Sequence, residues 1–197
     1  MAFSYAVVLT GSIATGKSTA SGLLKKLGFK IIDADSIAHK VLNQQHPQIT
    51  TLFGANLVDK GIVNRKALGE IVFSDIQKRK ALEKLLHPLI YEQIERDAMA
   101  LDNKGKVYLI DIPLFFETKR YPIEKSIVVY TSKEEQIKRL MARDNISKEA
   151  AKKRIALQIS IEEKVKKASY VIDNSGTLAA LERECKRVKE EILKDFL

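Results

Sequence analysis

Apolar residues along this chain gather into short runs separated by stretches of helical period. The first run, Ala6-Val7-Val8-Leu9, is too short for a free-standing helix and reads as a strand buried on both faces of a parallel sheet. Four more runs read as strands: Phe29–Asp33, Lys106–Asp111, Ser126–Tyr130 and Tyr170–Asp173. After the first strand, Ala20, Leu23, Leu24 and Leu27 fall at helical spacing, and Gly28 closes the segment. A helical stretch through Leu42 follows the second strand. Ile137, Leu140 and Met141 give the helix after the fourth strand its buried face, which leaves Arg139 and Arg143 exposed. The last helix places Leu178, Leu181, Cys185, Val188, Ile192 and Phe196 at steps of three and four, so Cys185 is expected in the core rather than in catalysis.

Residues 43–104 break this alternation. They show no strand pattern and read as a helical insertion between the second and third strands. Gln44–Pro47 and Gly54–Asn56 are loop-like, Leu68, Ile71 and Val72 share a helix face, and His87-Pro88 should kink or restart a later helix. Residues 143–167 are the most basic and least apolar part of the chain. They are either a solvated pair of helices or a lid that closes over a phosphate; their position before the fifth strand favours the lid. The fold class is therefore α/β: a five-stranded parallel sheet flanked by helices. The core spans residues 1–42, 105–142 and 168–197, the helical acceptor insertion about 43–104, and the helical lid about 143–167.

The chemistry concentrates where the first strand meets the first helix. Gly11 and Gly16-Lys17-Ser18 complete the Gly-x-x-x-x-Gly-Lys-Ser pattern of a P-loop, in the strand–loop–helix context it requires. The glycines let backbone N–H groups approach a phosphate, Lys17 supplies a mobile positive charge, and the Ser18 hydroxyl is a ligand for the Mg²⁺ that accompanies a nucleotide. Asp33 and Asp35 follow the second strand on the expected ligand-binding rim. Each has two readings, as helix cap or as the group that readies an acceptor hydroxyl. Asp111 ends the third strand where P-loop proteins place an acidic residue near Mg²⁺.

Charge and cysteine content narrow the setting. Lys and Arg exceed Asp and Glu by 34 to 25, a net charge of +9 that suits anionic partners. The start of the chain lacks a basic leader and its first apolar run ends at Leu9, so neither a signal peptide nor a membrane span is expected. One cysteine cannot form an internal disulfide, which fits a reducing compartment, and the cytoplasm is the expected location. Asn103-Lys104-Gly105-Lys106 lacks the aspartate of the guanine-recognition pattern, which argues against a GTPase switch, and no nucleic-acid-binding module appears.

The chain resembles the dephospho-coenzyme A kinase family, from Val7 to the terminal helix. The motifs that carry the resemblance are Leu9-Thr10-Gly11 with the P-loop, Ile32-Asp33-Ala34-Asp35 with Ile37-Ala38, Arg65-x-x-Leu68, His87-Pro88, Pro113–Glu117, Arg139-x-x-x-Arg143 and Val171–Asn174. The resemblance implies transfer of the ATP γ-phosphoryl group to the ribose 3′-hydroxyl of dephospho-coenzyme A, with Mg²⁺. It implies that Ala14, Thr15, Gly16, Lys17, Ser18 and Thr19 hold the ATP phosphates with Gly11, and that Asp35 rather than Asp33 faces the acceptor ribose. Arg143 would reach over the phosphates, Asn174 would lie beside the adenine, and Thr10, Arg65 and His87 would belong to the acceptor side. The family's loop reads Gly-Gly-Ile-Gly-Ser-Gly-Lys-Ser. Ser12 and Ala14 replace two of its glycines, which argues against positive φ at both positions, while Gly11, Gly16, Lys17 and Ser18 keep phosphate binding. A monomer working without nucleic acid or membrane completes the expectation.

Overall fold

The computed structural model describes residues 2–196, which divide into two compact units, residues 2–32 with 98–196 and residues 33–97. The division falls at 33 and 97, so the second unit starts earlier and ends earlier than the insertion expected at 43–104.

The five runs expected as strands are strands. They are β1 (Ala6–Gly11), β2 (Ile31–Asp33), β5 (Tyr108–Asp111), β6 (Ser126–Tyr130) and β7 (Tyr170–Asp173) of a parallel sheet in the order β2-β5-β1-β6-β7. Register sets Leu9 opposite Asp111, Gly11 opposite Val129, and Tyr130 opposite Asp173. Parallel pairing brings the carboxyl ends of these strands to one edge, where ligands bind in open α/β sheets. Every residue of β1 is buried, as its unbroken apolar run requires of a central strand. On one face, Leu24 of α1 (Lys17–Lys26) and Leu181, Cys185, Val188 and Ile192 of α10 (Leu178–Asp195) pack against Val7, Leu109, Ile127 and Ile172.

The basic segment 143–167 forms helices, each started by a serine that accepts the N–H three residues on. Ser132 caps α7 (Lys133–Asp144), Ser147 caps α8 (Lys148–Ile155) and Ser160 caps α9 (Ile161–Lys167). Ile137, Leu140, Ala151 and Ile155 make a small core of their own, against which Ile13 and Ala14 of the P-loop pack.

In the second unit, Asp33 caps α2 (Ala34–Gln44) by accepting the Ser36 N–H at 2.9 Å. Next come α3 (His46–Phe53), a short 3-10 helix (Ala55–Leu57) and a two-stranded hairpin, β3 (Val58–Asp59) with β4 (Ile62–Val63). The hairpin corrects the reading that residues 43–104 hold no strand. Lys60 and Gly61 take φ of 48° and 78°, the left-handed pair that a two-residue turn demands. Then come α4 (Arg65–Ser74) and α5 (Ile76–Asp102). Pro88 neither ends nor restarts α5, which runs 27 residues through it. A proline removes one N–H from the helical ladder, and the neighbouring apolar residues Leu82, Leu85 and Leu86 hold that stretch against the unit's core of Leu42, Ile49, Leu57, Val63 and Leu68.

Candidate active site

The P-loop leaves the end of β1 and enters α1 through two glycines at which a Cβ would crowd neighbouring atoms. A Cβ on Gly11 would stand 2.7 Å from the Thr15 hydroxyl oxygen and 3.2 Å from the Val129 carbonyl oxygen. Gly16 has φ of 86°, and a Cβ there would stand 2.1 Å from Nδ2 of Asn174. Gly16 is also the residue before α1, and no side chain caps that helix, so its first N–H groups are left to face an anion. Against the expectation drawn from composition, Ala14 does adopt positive φ, 62°. Its methyl group packs on the small core of α7 and α8, a contact glycine could not make.

The loop Gly11–Ser18 lines a cavity of about 460 Å³ together with Pro113, Arg139, Arg143 and Gln158. No acidic side chain shares that lining, so it presents backbone N–H groups and three cations, Lys17, Arg139 and Arg143. The Lys17 ammonium is paired with the buried Asp111 carboxylate at the end of β5. Arg139 is half-buried rather than exposed: its guanidinium bonds Glu135 at 2.9 Å and the Asn174 carbonyl at 2.9 Å. Arg143 is exposed and bonds Asp144 through Nε at 2.7 Å. The Arg143 hydrogen bond, with Arg154 also at 2.6 Å, holds the Asp144 carboxyl below the usual carboxylate range. Lys17 and Arg143 are therefore both parked on carboxylates at the margin of a cationic cavity.

Other expected site residues occupy varied positions. Ser18 and Thr19 are exposed in the first turn of α1. Thr15 is fully buried, and both its hydroxyl, at 2.9 Å, and its N–H, at 3.2 Å, donate back to the Ser12 carbonyl, so it holds the shape of the loop. Thr10 is also fully buried, with its hydroxyl committed to the Pro113 carbonyl at 3.1 Å. The buried Asn174 side chain donates through Nδ2 to the Thr15 carbonyl at 2.8 Å, which makes it a brace for the loop. In the second unit, Asp35 is exposed in the first turn of α2, Arg65 is exposed at the start of α4, and His87 is half-buried in α5.

Sequence reasoning missed three contributors. Arg139 was read as surface charge. Gln158, from the loop between α8 and α9, accepts the Ile13 N–H at 2.9 Å. Lys164 lies in the basic segment 143–167 but has no exposed surface, donating to the Gly11 carbonyl at 2.8 Å and pairing with Glu117 at 2.7 Å. Its position three residues after Ile161, on the buried face of α9, was the available signal.

Known proteins match this geometry and its sequence. A family profile described as dephospho-CoA kinase matches residues 5–180. A dephospho-CoA kinase from Sulfurimonas denitrificans is 47% identical over 197 residues, covering 100% of this chain and 98% of that one. A solved dephospho-CoA kinase from Campylobacter jejuni is 42% identical, with a TM-score of 0.73 over 95% of this chain and 97% of the other. A crystal structure from Thermus thermophilus aligns at a TM-score of 0.80 and 34% identity, over 94% and 96% of the two chains. With a family profile matched over residues 5–180 and a relative 47% identical along its whole length, the chain belongs to the dephospho-CoA kinase family.

Proposed function

We propose that the P-loop cavity holds the triphosphate of ATP and that Asp35 readies the ribose 3′-hydroxyl of dephospho-coenzyme A to attack the γ-phosphorus. The family's reaction is ATP-dependent phosphoryl transfer to dephospho-coenzyme A, the last step of coenzyme A synthesis. The observation that carries the site assignment is the 460 Å³ cavity, lined by uncapped N–H groups and three cations with no acid among them.

The roles follow from the chemistry of phosphoryl transfer, which asks for positioning and charge neutralisation more than covalent work. In the stretch from Ala14 to Thr19, the N–H groups other than those of Thr15 and Thr19, which bond the Ser12 and Gly16 carbonyls, bind the β- and γ-phosphates. Lys17 exchanges Asp111 for the phosphates, and Arg143 exchanges Asp144 for the transferring group. Asp33 is spent as a helix cap, which leaves Asp35 to accept or orient the hydroxyl proton. Thr10 acts through Pro113, and Arg65 and His87 take the acceptor's outer parts. Ser18 and Asp111 offer the hard oxygen donors that suit Mg²⁺, and the ion, when bound with ATP, supplies charge neutralisation at the phosphates. The working form proposed is a cytoplasmic monomer; among the described residues no helix is long and apolar enough to cross a membrane.

The test is ADP release from ATP and Mg²⁺ with dephospho-coenzyme A, adenosine, AMP or no acceptor in parallel. Turnover selective for dephospho-coenzyme A, with phosphate on the 3′-oxygen, is expected. Turnover confined to another acceptor, or hydrolysis without one, overturns the assignment. In the same assay Lys17→Ala should lose at least about 10²-fold in kcat, comparable to removing one preorganised stabiliser of developing charge, with the fold retained.

A further inference from the structure

Lys164 is the one lysine among the described residues that is fully buried. A buried ammonium is costly to desolvate and persists where partners compensate it. The partners explain its presence. One is the carbonyl of Gly11, the first residue of the phosphate loop, 153 positions away in sequence. The other is Glu117 of the short helix α6 (Phe115–Thr118), whose carboxylate also accepts the Ile159 N–H at 3.2 Å.

The geometry of a trans peptide gives this contact a consequence. Its carbonyl and the following N–H point in opposite directions. A Gly11 carbonyl drawn inward by Lys164 turns the Ser12 N–H the other way, and a Thr15 carbonyl drawn inward by Asn174 does the same for the Gly16 N–H. Gln158 takes the Ile13 N–H between them. The segment Gln158–Lys164 thus grips the first half of the loop at both Gly11 and Ile13. Arg143 and Arg154, elsewhere in the segment 143–167, are exposed, each on Asp144.

We propose that Lys164, held by Glu117, is a positioning residue for phosphoryl transfer: its buried ammonium fixes the entry to the phosphate loop, so that the loop stands ready for phosphate before nucleotide binds. The proposal rests on reading the cavity as the nucleotide site. It concerns a residue that acts through Gly11 and touches neither substrate.

The test compares Lys164→Met, Lys164→Arg and Glu117→Gln with the unaltered protein. The readouts are binding of a fluorescent ADP analogue, KM for each substrate, kcat and the thermal midpoint. Lys164→Met should weaken ADP binding and raise KM for ATP by at least about tenfold, since small misplacements of a binding group are costly. KM for dephospho-coenzyme A should stay within about twofold, because Lys164 acts only on the loop. Lys164→Arg, which keeps the charge and the donors, should restore most of the ADP affinity. Unchanged ADP affinity in Lys164→Met overturns the proposal, as does a loss shared equally by both substrates, which would mark a purely structural anchor. Should Lys164→Met not fold, Glu117→Gln decides by the same binding measurement, and unaltered affinity there is equally fatal. Failure of the unaltered protein to bind ADP would remove the nucleotide site itself. ADP binding that is normal in both the unaltered and the Lys164→Met proteins removes only the role of Lys164.

Discussion

At the scale of single residues, the site is built from side chains whose obvious roles are already taken. Asp33 and Asp35 are two residues apart and share the same two readings, cap or hydroxyl-readying group, until the family resemblance favours Asp35; Asp33 accepts the Ser36 N–H as a cap. Asp33→Ala should cost about 1 kcal/mol of stability, as loss of an N-cap does, read as a shift in the urea midpoint. Asp35→Asn should leave stability and KM for ATP alone and lower kcat by about 10²–10⁴-fold, the usual range for a general base. Unchanged turnover would take Asp35 out of catalysis. Ala14 poses a different question. Its left-handed backbone costs about 1–2 kcal/mol, yet its methyl packs on Ile137 and its neighbours. Ala14→Gly relieves the strain but loses roughly 0.8 kcal/mol of methyl burial and about 0.5–1 kcal/mol of chain entropy, so chemical denaturation should find it near neutral. Ala14→Val has no such compensation and should destabilise by about 1–3 kcal/mol.

At the scale of elements, what the sequence disclosed is what local periodicity encodes. The strands and the P-loop with its flanking helix were legible because each is specified by consecutive residues. The β3–β4 hairpin was not, since strands of two residues cannot show alternation and its Lys60-Gly61 turn is not one of the common hairpin pairs. Of the two readings at Pro88, the restart fails because a proline's local cost is visible in sequence while the packing that holds the helix through it is not. Lys164 was missed because its partner lies 153 residues away. The helix α10 is the clearest success. Cys185 is buried in its core face, and burial pushes the thiol up to about 11. Burial also raises the phenols of Tyr108 and Tyr170. The unfolded chain ionises these groups first, so their contribution to stability is complete below about pH 8.5, the ordinary thiol value, and falls as pH rises through the folded values. Accordingly a maleimide should leave the folded protein unlabelled at pH 8 and label Cys185 once denaturant is added. Fast labelling without denaturant would contradict the burial.

At the scale of the whole molecule, the two units differ in what they owe to ligand. Residues 2–32 and 98–196 contain the loop, the cavity and the large core on α1 and α10, whereas residues 33–97 have a separate core around Ile49, Leu57 and Leu68. A ligand that binds only the folded form stabilises it by RT ln(1 + [L]/Kd), about 2.7 kcal/mol at a hundredfold excess over Kd. That energy acts on the cooperative unit that makes the contacts. ADP at this concentration should therefore slow amide exchange in β1, β6 and β7 by up to about a hundredfold. Amides of Ile49 and Leu68 should change far less, because their core contains none of the groups that line the cavity. An equal gain in both units would show that the chain opens as one body despite its two cores. No gain in either would mean that the cavity around Lys17 does not take the nucleotide.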